Sequence, residues 1–153
     1  MTGGARARRP LAGLVVLLPA GLAACAGEAS ATWPSGVTRF EGRGAVGRER
    51  GLWRYYYPDG QIREEGHWRS GRRRGVWTQW FGNGQRASSG ERRWVAERHA
   101  SERHGPWTFW HENGHLREKG SYDHGERVGE WSTWRDDGTP QERARPASDP
   151  DGG

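Results

Sequence analysis

Six histidines are the first residues in this chain whose chemistry suggests a metal site. They are His67, His99, His104, His111, His115 and His124. Two of them, His111 and His115, flank a predicted turn and could face each other across it. However, no cluster of His, Cys or Asp recurs at a recognised metal-ligand spacing, and most of the histidines lie near turns or in an insert, where polar side chains are solvated. The sequence therefore predicts no metal site and no cofactor.

Hydrolytic chemistry has no more support in the sequence. Serines and carboxylates are present, but no nucleophile elbow or other activated-nucleophile motif occurs. Paired carboxylates such as Glu64-Glu65 and Asp136-Asp137 flank predicted turns, where solvation explains them. The glycines are regularly spaced but form no phosphate-binding loop followed by a lysine. We therefore predict no catalytic residues and interpret the chain as a non-enzyme.

One residue carries a specific chemical prediction, and it is the single cysteine, Cys25. Arg6, Arg8 and Arg9 precede a short apolar run at 11–22, and small residues then lead to the cysteine. This run suits a signal peptide and is short for a permanent membrane-spanning helix. Because no second cysteine exists to form a disulfide within the chain, an exported protein would need another use for this thiol.

The stretch LAAC that ends at Cys25 resembles a bacterial lipobox. The resemblance implies a signal peptide over residues 1–24, cleavage between Ala24 and Cys25, and diacylglycerol on the Cys25 thiol. Two or three acyl chains would anchor the protein stably to a membrane. Ala26 follows the cysteine instead of aspartate, which favours the outer membrane in a two-membrane cell. The alternative is an ordinary secretory signal in which Cys25 has no role.

Removal of the signal changes the charge of the protein. The signal would take three of the 24 Lys and Arg residues and none of the 19 Asp and Glu residues, so the net charge falls from +5 to +2. The small excess and the predicted export both argue against a nucleic-acid partner. All ten tryptophans lie after residue 25, whereas aliphatic residues there are scarce. Any core must therefore be built from aromatic side chains.

An internal repeat dominates the rest of the sequence. Each unit begins with Gly-x-Trp, has a second aromatic residue three positions later, and then reaches an Asp-Gly or Asn-Gly dipeptide. The units begin near Gly51, Gly75, Gly105 and Gly129. The second aromatic residues are Tyr56, Trp80, Trp110 and Trp134. The dipeptides are Asp59-Gly60, Asn83-Gly84, Asn113-Gly114 and Asp137-Gly138. Such dipeptides predict two-residue type I′ hairpin turns.

The repeat predicts an all-β fold, an elongated single sheet of stacked antiparallel hairpins over residues 37–138, beginning with a half-unit. Alternation along each strand puts Trp53 and Tyr55 on one face and Tyr56 on the other, so both faces carry aromatics. The second unit has six extra residues within 95–104, which lengthen either its hairpin or a connecting loop. Residues 25–36 are interpreted as a flexible tether. Residues 139–153, with three prolines, are interpreted as a disordered tail.

The spacing of glycines and aromatics from Gly66 through Trp77 to Asn83-Gly84 resembles MORN-type repeats. It resembles more closely the bacterial variant named for the YwqK antitoxin. The resemblance covers about residues 37–138 and implies the hairpin architecture. The leading functional hypothesis is a membrane-anchored binding or scaffold protein of the cell envelope, and the second is an immunity or antitoxin protein that neutralises a toxin. A third is an enzyme acting on peptidoglycan or glycans, for which the sequence offers no constellation of residues.

Two sets of residues are candidates for binding. The second aromatics of the units form a candidate surface for a protein partner: Tyr56, Trp80, Trp110 and Trp134. The run Arg72, Arg73 and Arg74 is a candidate contact for anionic lipid or glycan. The simpler interpretation is that these are solvated charges that discourage edge-to-edge pairing.

Overall fold

Residues 27–144 are described by a computed structural model, in which they form one open antiparallel sheet of ten strands. Each strand is hydrogen-bonded to the next strand in the sequence, so the sheet is a continuous meander. This confirms the predicted all-β, single-sheet fold. The strands are β1 (Glu28–Thr32), β2 (Thr38–Arg43), β3 (Arg50–Tyr56), β4 (Ile62–Arg69), β5 (Arg72–Trp80), β6 (Arg86–Val95), β7 (Ala100–Trp110), β8 (Leu116–Asp123), β9 (Glu126–Trp134) and β10 (Pro140–Ala144).

The turns at the Asp-Gly and Asn-Gly dipeptides are not of the predicted type. In the first, Gly60 N–H donates to the Tyr57 carbonyl at 3.0 Å, and Tyr57 N–H donates to the Gln61 carbonyl at 2.8 Å. Gly60 has φ 91°, whereas Asp59 is not among the residues with positive φ. The prediction of type I′ is therefore wrong, and the loop is a type I turn followed by a left-handed glycine. The Asp59 carboxylate holds this form by accepting the Gln61 N–H at 3.0 Å.

Type I′ turns occur instead at the opposite ends of the strands. Ser70 (φ 52°) and Gly71 (φ 73°) connect β4 to β5. His124 (φ 47°) and Gly125 (φ 84°) connect β8 to β9 in the same way. Positive φ at both central positions is the mark of this turn. The strand ends on one side of the sheet thus carry three-residue loops, and this side is called here the Asx edge. On the other side, these two connections are two-residue turns, whereas residues 44–49 and 96–99 form longer ones.

The sheet extends beyond the predicted repeat at both ends. The flexible tether expected over residues 25–36 is corrected over Glu28–Thr32, which form β1 and pair with β2. The tail expected over 139–153 is corrected over Pro140–Ala144, which pair with β9 as β10. Composition did not indicate these strands because small and polar residues can make the backbone hydrogen bonds that pair one strand with its neighbour.

The insert lengthens a hairpin. β6 runs to Val95 and β7 begins at Ala100, so most of the extra residues extend these two strands. At the tip, the Arg98 guanidinium donates to Glu102 at 3.3 Å and to the His124 carbonyl at 3.0 Å. The long hairpin therefore contacts the connection between β8 and β9.

Candidate interaction surface

A row of alternating glycine and tryptophan residues crosses the sheet. The first tryptophan of each unit is no more than 2 % exposed, and each lies flat on a glycine of the preceding strand. A Cβ added to any of these glycines would stand 2.3 Å from the indole. The pairs are Gly42 with Trp53, Gly66 with Trp77, Gly90 with Trp107, and Gly120 with Trp131. The face that carries these tryptophans is called here the packed face, and the opposite side is the open face.

The packed face repeats every two units. Around Trp77, Tyr55 lies at 6.4 Å and Trp68 at 5.7 Å between ring centroids, the latter edge-on at 86°. The same arrangement recurs 54 residues later around Trp131. There Phe109 lies at 6.3 Å and Tyr122 at 5.1 Å, the latter edge-on at 84°.

The sequence analysis missed this longer period because Gly-x-Trp is common to all units. The position two residues after the tryptophan does show the two-unit period. This position is aromatic in the first and third units (Tyr55 and Phe109) and polar in the second and fourth (Gln79 and Thr133).

Arginines cover the aromatic clusters from above. The Arg73 guanidinium carbon is 4.2 Å from the Trp77 ring centroid, and that of Arg127 is 4.0 Å from Trp131. Each arginine also pairs with a carboxylate on the same face, Arg73 with Glu64 and Arg127 with Glu118. Stacking and ion pairing together fix each guanidinium plane over an indole. These contacts shield from water a sheet face that has no second layer.

A polar seam separates the two clusters. Ser88 donates to Gln79 at 3.0 Å, and Gln79 donates to Glu64 at 3.4 Å. Arg92 and Arg103 stand directly opposite each other on β6 and β7. Burial lowers the pKa of Arg92, and the charges of Arg73 and Arg103 lower it further. The packed face is therefore shielded by stacked arginines over its aromatic clusters and is cationic at its centre. The buried indole N–H groups of Trp68, Trp77 and Trp131 have no hydrogen-bond partner among the described residues.

The open face carries side chains that the sheet does not cover. Leu52 is 38 % exposed, Val76 is 61 % exposed and Val128 is 39 % exposed. Leu52 and Val76 border a cavity of about 410 Å³ that is also lined by His67 and Thr78. Hydroxyl groups line the centre of this face, where Thr78 and Ser89 lie 3.2 Å apart across two strands.

All four predicted surface aromatics lie on the open face, towards the Asx edge. They are half-buried: Tyr56, Trp80, Trp110 and Trp134. Tyr56 donates its hydroxyl to Glu41 at 2.5 Å. Trp80 and Trp110 border a shared cavity of about 310 Å³ with Gln85 and Arg86. The structure thus brings neighbouring members of the predicted set to one surface.

Side chains link successive loops along the Asx edge. Tyr57 donates to the Trp80 carbonyl at 2.8 Å. His111, through Nε2, lies 3.0 Å from the Trp134 carbonyl, and His115, through Nδ1, lies 2.7 Å from the Asp136 carbonyl. A carbonyl oxygen only accepts, so both histidines donate. His111 and His115 therefore bind the next loop instead of facing each other, and across residues 27–144 no group of three potential ligands converges on a metal position.

The predicted arginine run is divided by the pleat of the sheet. Arg73 belongs to the packed face, where it pairs with Glu64. Arg72 and Arg74 are exposed, and alternation directs them to the other side. Ala24 and Cys25 lie outside the described residues.

Comparison with protein-family models identifies the repeats. Residues 49–69 and 103–124 match the MORN repeat variant. These are the units in which Tyr55 and Trp68, or Phe109 and Tyr122, complete the aromatic cluster, so the match follows the two-unit period. The MORN-like repeat is thereby shown for these segments. Comparison with curated proteins and with solved structures returned no match.

Proposed function

We propose that this chain is a non-enzymatic binding or scaffold protein of the cell envelope, anchored through Cys25, which holds a protein partner on the open face. One observation carries the proposal: the packed face covers its own tryptophans, whereas the open face leaves Leu52, Val76 and Val128 exposed and its aromatics only half-buried. Uncovered apolar residues grouped on one face are typical of contact surfaces.

The chemistry of the open face favours a protein as its partner. Trp80 and Trp110 supply large, rigid anchors, and Arg86 lies between them. Tryptophan, tyrosine and arginine are the residues that most often dominate the energy of protein interfaces. The hydroxyl row of Thr78 and Ser89 provides hydrogen-bonding groups beside these anchors. A MORN-like repeat is compatible with an interaction module.

The position of β1 limits how far the sheet can lie from the proposed anchor. β1 begins at Glu28, so the chain from Cys25 to the sheet spans at most about 11 Å when fully extended. A lipid on Cys25 would hold the β1 edge close to the membrane surface and leave the later hairpins farther along the sheet for a partner.

Affinity capture from an envelope extract tests the proposal, with the mature protein tethered at residue 25. We expect wild type to retain a specific envelope protein, and the double variant Trp80→Ala with Trp110→Ala to lose it. Trp33→Ala is the control because it removes a half-buried tryptophan from the loop between β1 and β2, which the loop between β3 and β4 separates from Trp80.

A second variant separates lost binding from lost folding. Arg86→Glu changes an exposed side chain between the two tryptophans and leaves both rings in place. It should weaken capture at an unchanged melting temperature. Capture of lipid alone, or equal capture by wild type and both open-face variants, would contradict the proposal.

A further inference from the structure

We propose that the connection between β4 and β5 forms a phosphate-binding site, a function beyond the protein-partner surface. The site is a cavity of about 320 Å³, called here the arginine pocket, and its lining includes Arg69, Arg72, Arg73, Arg74, Arg93 and Trp94. A cavity of this size is at the lower end of those that take small ligands. No Asp or Glu is among the described residues that line it.

Strand register brings the arginines together. Arg69 and Arg72 are directly opposite each other across the β4–β5 turn. Arg74 lies two residues farther along β5, opposite His67. Arg93 lies on the next strand, β6, where Gly75 pairs with Arg92. Three adjacent strands therefore contribute guanidinium groups to the arginine pocket, and Arg73 of the packed face also borders it.

Of the five arginines that line the pocket, only Arg73 is neutralised by a carboxylate, Glu64, within the described part of the protein. Arg69, Arg72, Arg74 and Arg93 take part in none of its ion pairs with carboxylates. Arginines elsewhere in the sheet, such as Arg54 and Arg127, do have carboxylate partners. Like charges directly opposite each other on paired strands destabilise a sheet. An anion that bridges them would remove this repulsion.

Two of the arginines are already held in position. The Arg72 guanidinium carbon lies 4.1 Å from the Trp94 ring centroid. Arg93 Nη1 lies 3.3 Å from His104 Nε2. Because a guanidinium only donates, His104 accepts at Nε2 and carries its proton on Nδ1, which faces Asp123 at 3.3 Å. The remaining N–H groups are available without a large loss of side-chain freedom.

Phosphate fits this donor set better than a simple halide or a single carboxylate. Arginine presents paired N–H groups that match the oxygens of a phosphate in a bidentate arrangement, and several arginines can share its three or more oxygens. The phosphate group can come from a soluble phosphorylated molecule or from a phospholipid headgroup. Both present the same oxygens to the pocket.

Isothermal titration of the full chain in non-ionic detergent tests the site. One arm uses inorganic pyrophosphate as the probe. A second uses dihexanoyl-phosphatidylglycerol, with dihexanoyl-phosphatidylcholine as the zwitterionic comparison. The pocket variant combines Arg69→Gln, Arg74→Gln and Arg93→Gln. Its matched control combines Arg48→Gln, Arg50→Gln and Arg63→Gln, which remove the same charge from exposed positions outside the cavity.

We expect the pocket variant to bind at least tenfold more weakly than wild type, and the control to bind almost as well as wild type. Binding of pyrophosphate alone assigns a soluble source, and binding of phosphatidylglycerol alone assigns a headgroup. Either result supports the site. An equal loss in pocket and control variants, or binding of neither probe, overturns it. If the pocket variant melts early, the single change Arg74→Gln takes its place, because this exposed side chain has no hydrogen-bond or ion-pair partner among the described residues.

Discussion

Gly66 lies directly beneath the indole of Trp77, so close that a Cβ on residue 66 would stand 2.3 Å from the ring. The two residues are cross-strand partners on β4 and β5. Trp77 is 1 % exposed although no second sheet covers it. The missing side chain of the glycine lets the ring lie flat on the backbone, where Arg73 stacks over its outer surface.

Gly66→Ala should therefore displace Trp77. We expect the free energy of unfolding to fall by about 1–3 kcal/mol, the usual cost of inserting an atom into a packed site. Urea denaturation followed by tryptophan fluorescence measures the change. Gly82→Ala is the control, since a Cβ there meets open space and its φ is not positive. Equal effects of the two substitutions would show that steric contact with Trp77 is not the cause.

Hydrogen bonds between the Asx-edge loops predict a stabilising substitution. Asn83 donates its side-chain amide to the Glu112 carbonyl at 2.7 Å, and Asn113 donates to the Asp136 carbonyl at 2.6 Å. Asp59 holds the same position in the first unit, but its carboxylate cannot donate. Asp59→Asn should add a bond to the Gly82 carbonyl and raise the unfolding free energy by about 0.5–1.5 kcal/mol.

Asn83→Asp is the reciprocal variant, and it should lower stability because it removes the donor and faces a carboxylate towards a carbonyl oxygen. The melting temperatures of both variants at pH 7, compared with that of wild type, measure the two changes in stability. A fall in melting temperature for Asp59→Asn would count against the inferred link.

Arg73 and Arg127 occupy equivalent positions, but their carboxylate partners differ in surroundings. Glu64 is 6 % exposed and has Arg73 as its only ion-pair partner within the described residues, whereas Glu118 also pairs with Arg117 at 3.3 Å. Arg73→Ala leaves a buried carboxylate unpaired and should destabilise the protein by about 3–5 kcal/mol. Arg127→Ala should cost less.

Chemical denaturation of the two single variants measures this difference. Adding Glu64→Gln to Arg73→Ala should recover part of the loss, because it removes the unpaired charge. No recovery in the double variant would show that the lost stacking on Trp77, and not the charge on Glu64, accounts for the change.

The anchor predicted at Cys25 is tested by metabolic labelling. Wild-type protein should incorporate a palmitate analogue and migrate as a processed form. Cys25→Ala should accumulate as unlabelled precursor, because the acceptor thiol is absent. Ala26→Asp is a matched neighbour that keeps the thiol and should keep the label. Labelling that survives in Cys25→Ala would refute the proposed anchor.

Several features of the fold could be predicted from the sequence. The Gly-x-Trp spacing and the Asx-Gly dipeptides indicated antiparallel hairpins, because each places a turn signal between two short aromatic strands. Alternation placed Trp53 and Tyr56 on opposite faces, as observed. Turn type was not predictable from the dipeptide, since the side chain of Asp59 binds the Gln61 backbone and keeps a conformation that the Asp-Gly pattern does not favour.

The candidate sites, like the fold, were predictable from the sequence only in part. The row from Tyr56 to Trp134 followed from the repeat, but its exposure depends on which face the arginines cover. The run at residues 72–74 is continuous in sequence, and all three arginines border the arginine pocket, but the pleat brings only Arg73 to a carboxylate, Glu64. Arg69 and Arg93 lie outside this run in the sequence, and only the register between strands brings them to the pocket.

The sequence by itself determined the repeat, the hairpins and the need for an aromatic core, because glycines, turn residues and tryptophans recur at fixed offsets. Only the tertiary structure decided which face is covered and which is open. That outcome depends on cross-strand register, which places a glycine under each buried indole, an arginine over Trp77 and Trp131, and four arginines without carboxylate partners around one cavity. These contacts join residues on neighbouring strands that belong to different units. The repeat period along the chain does not reveal which residues meet in this way.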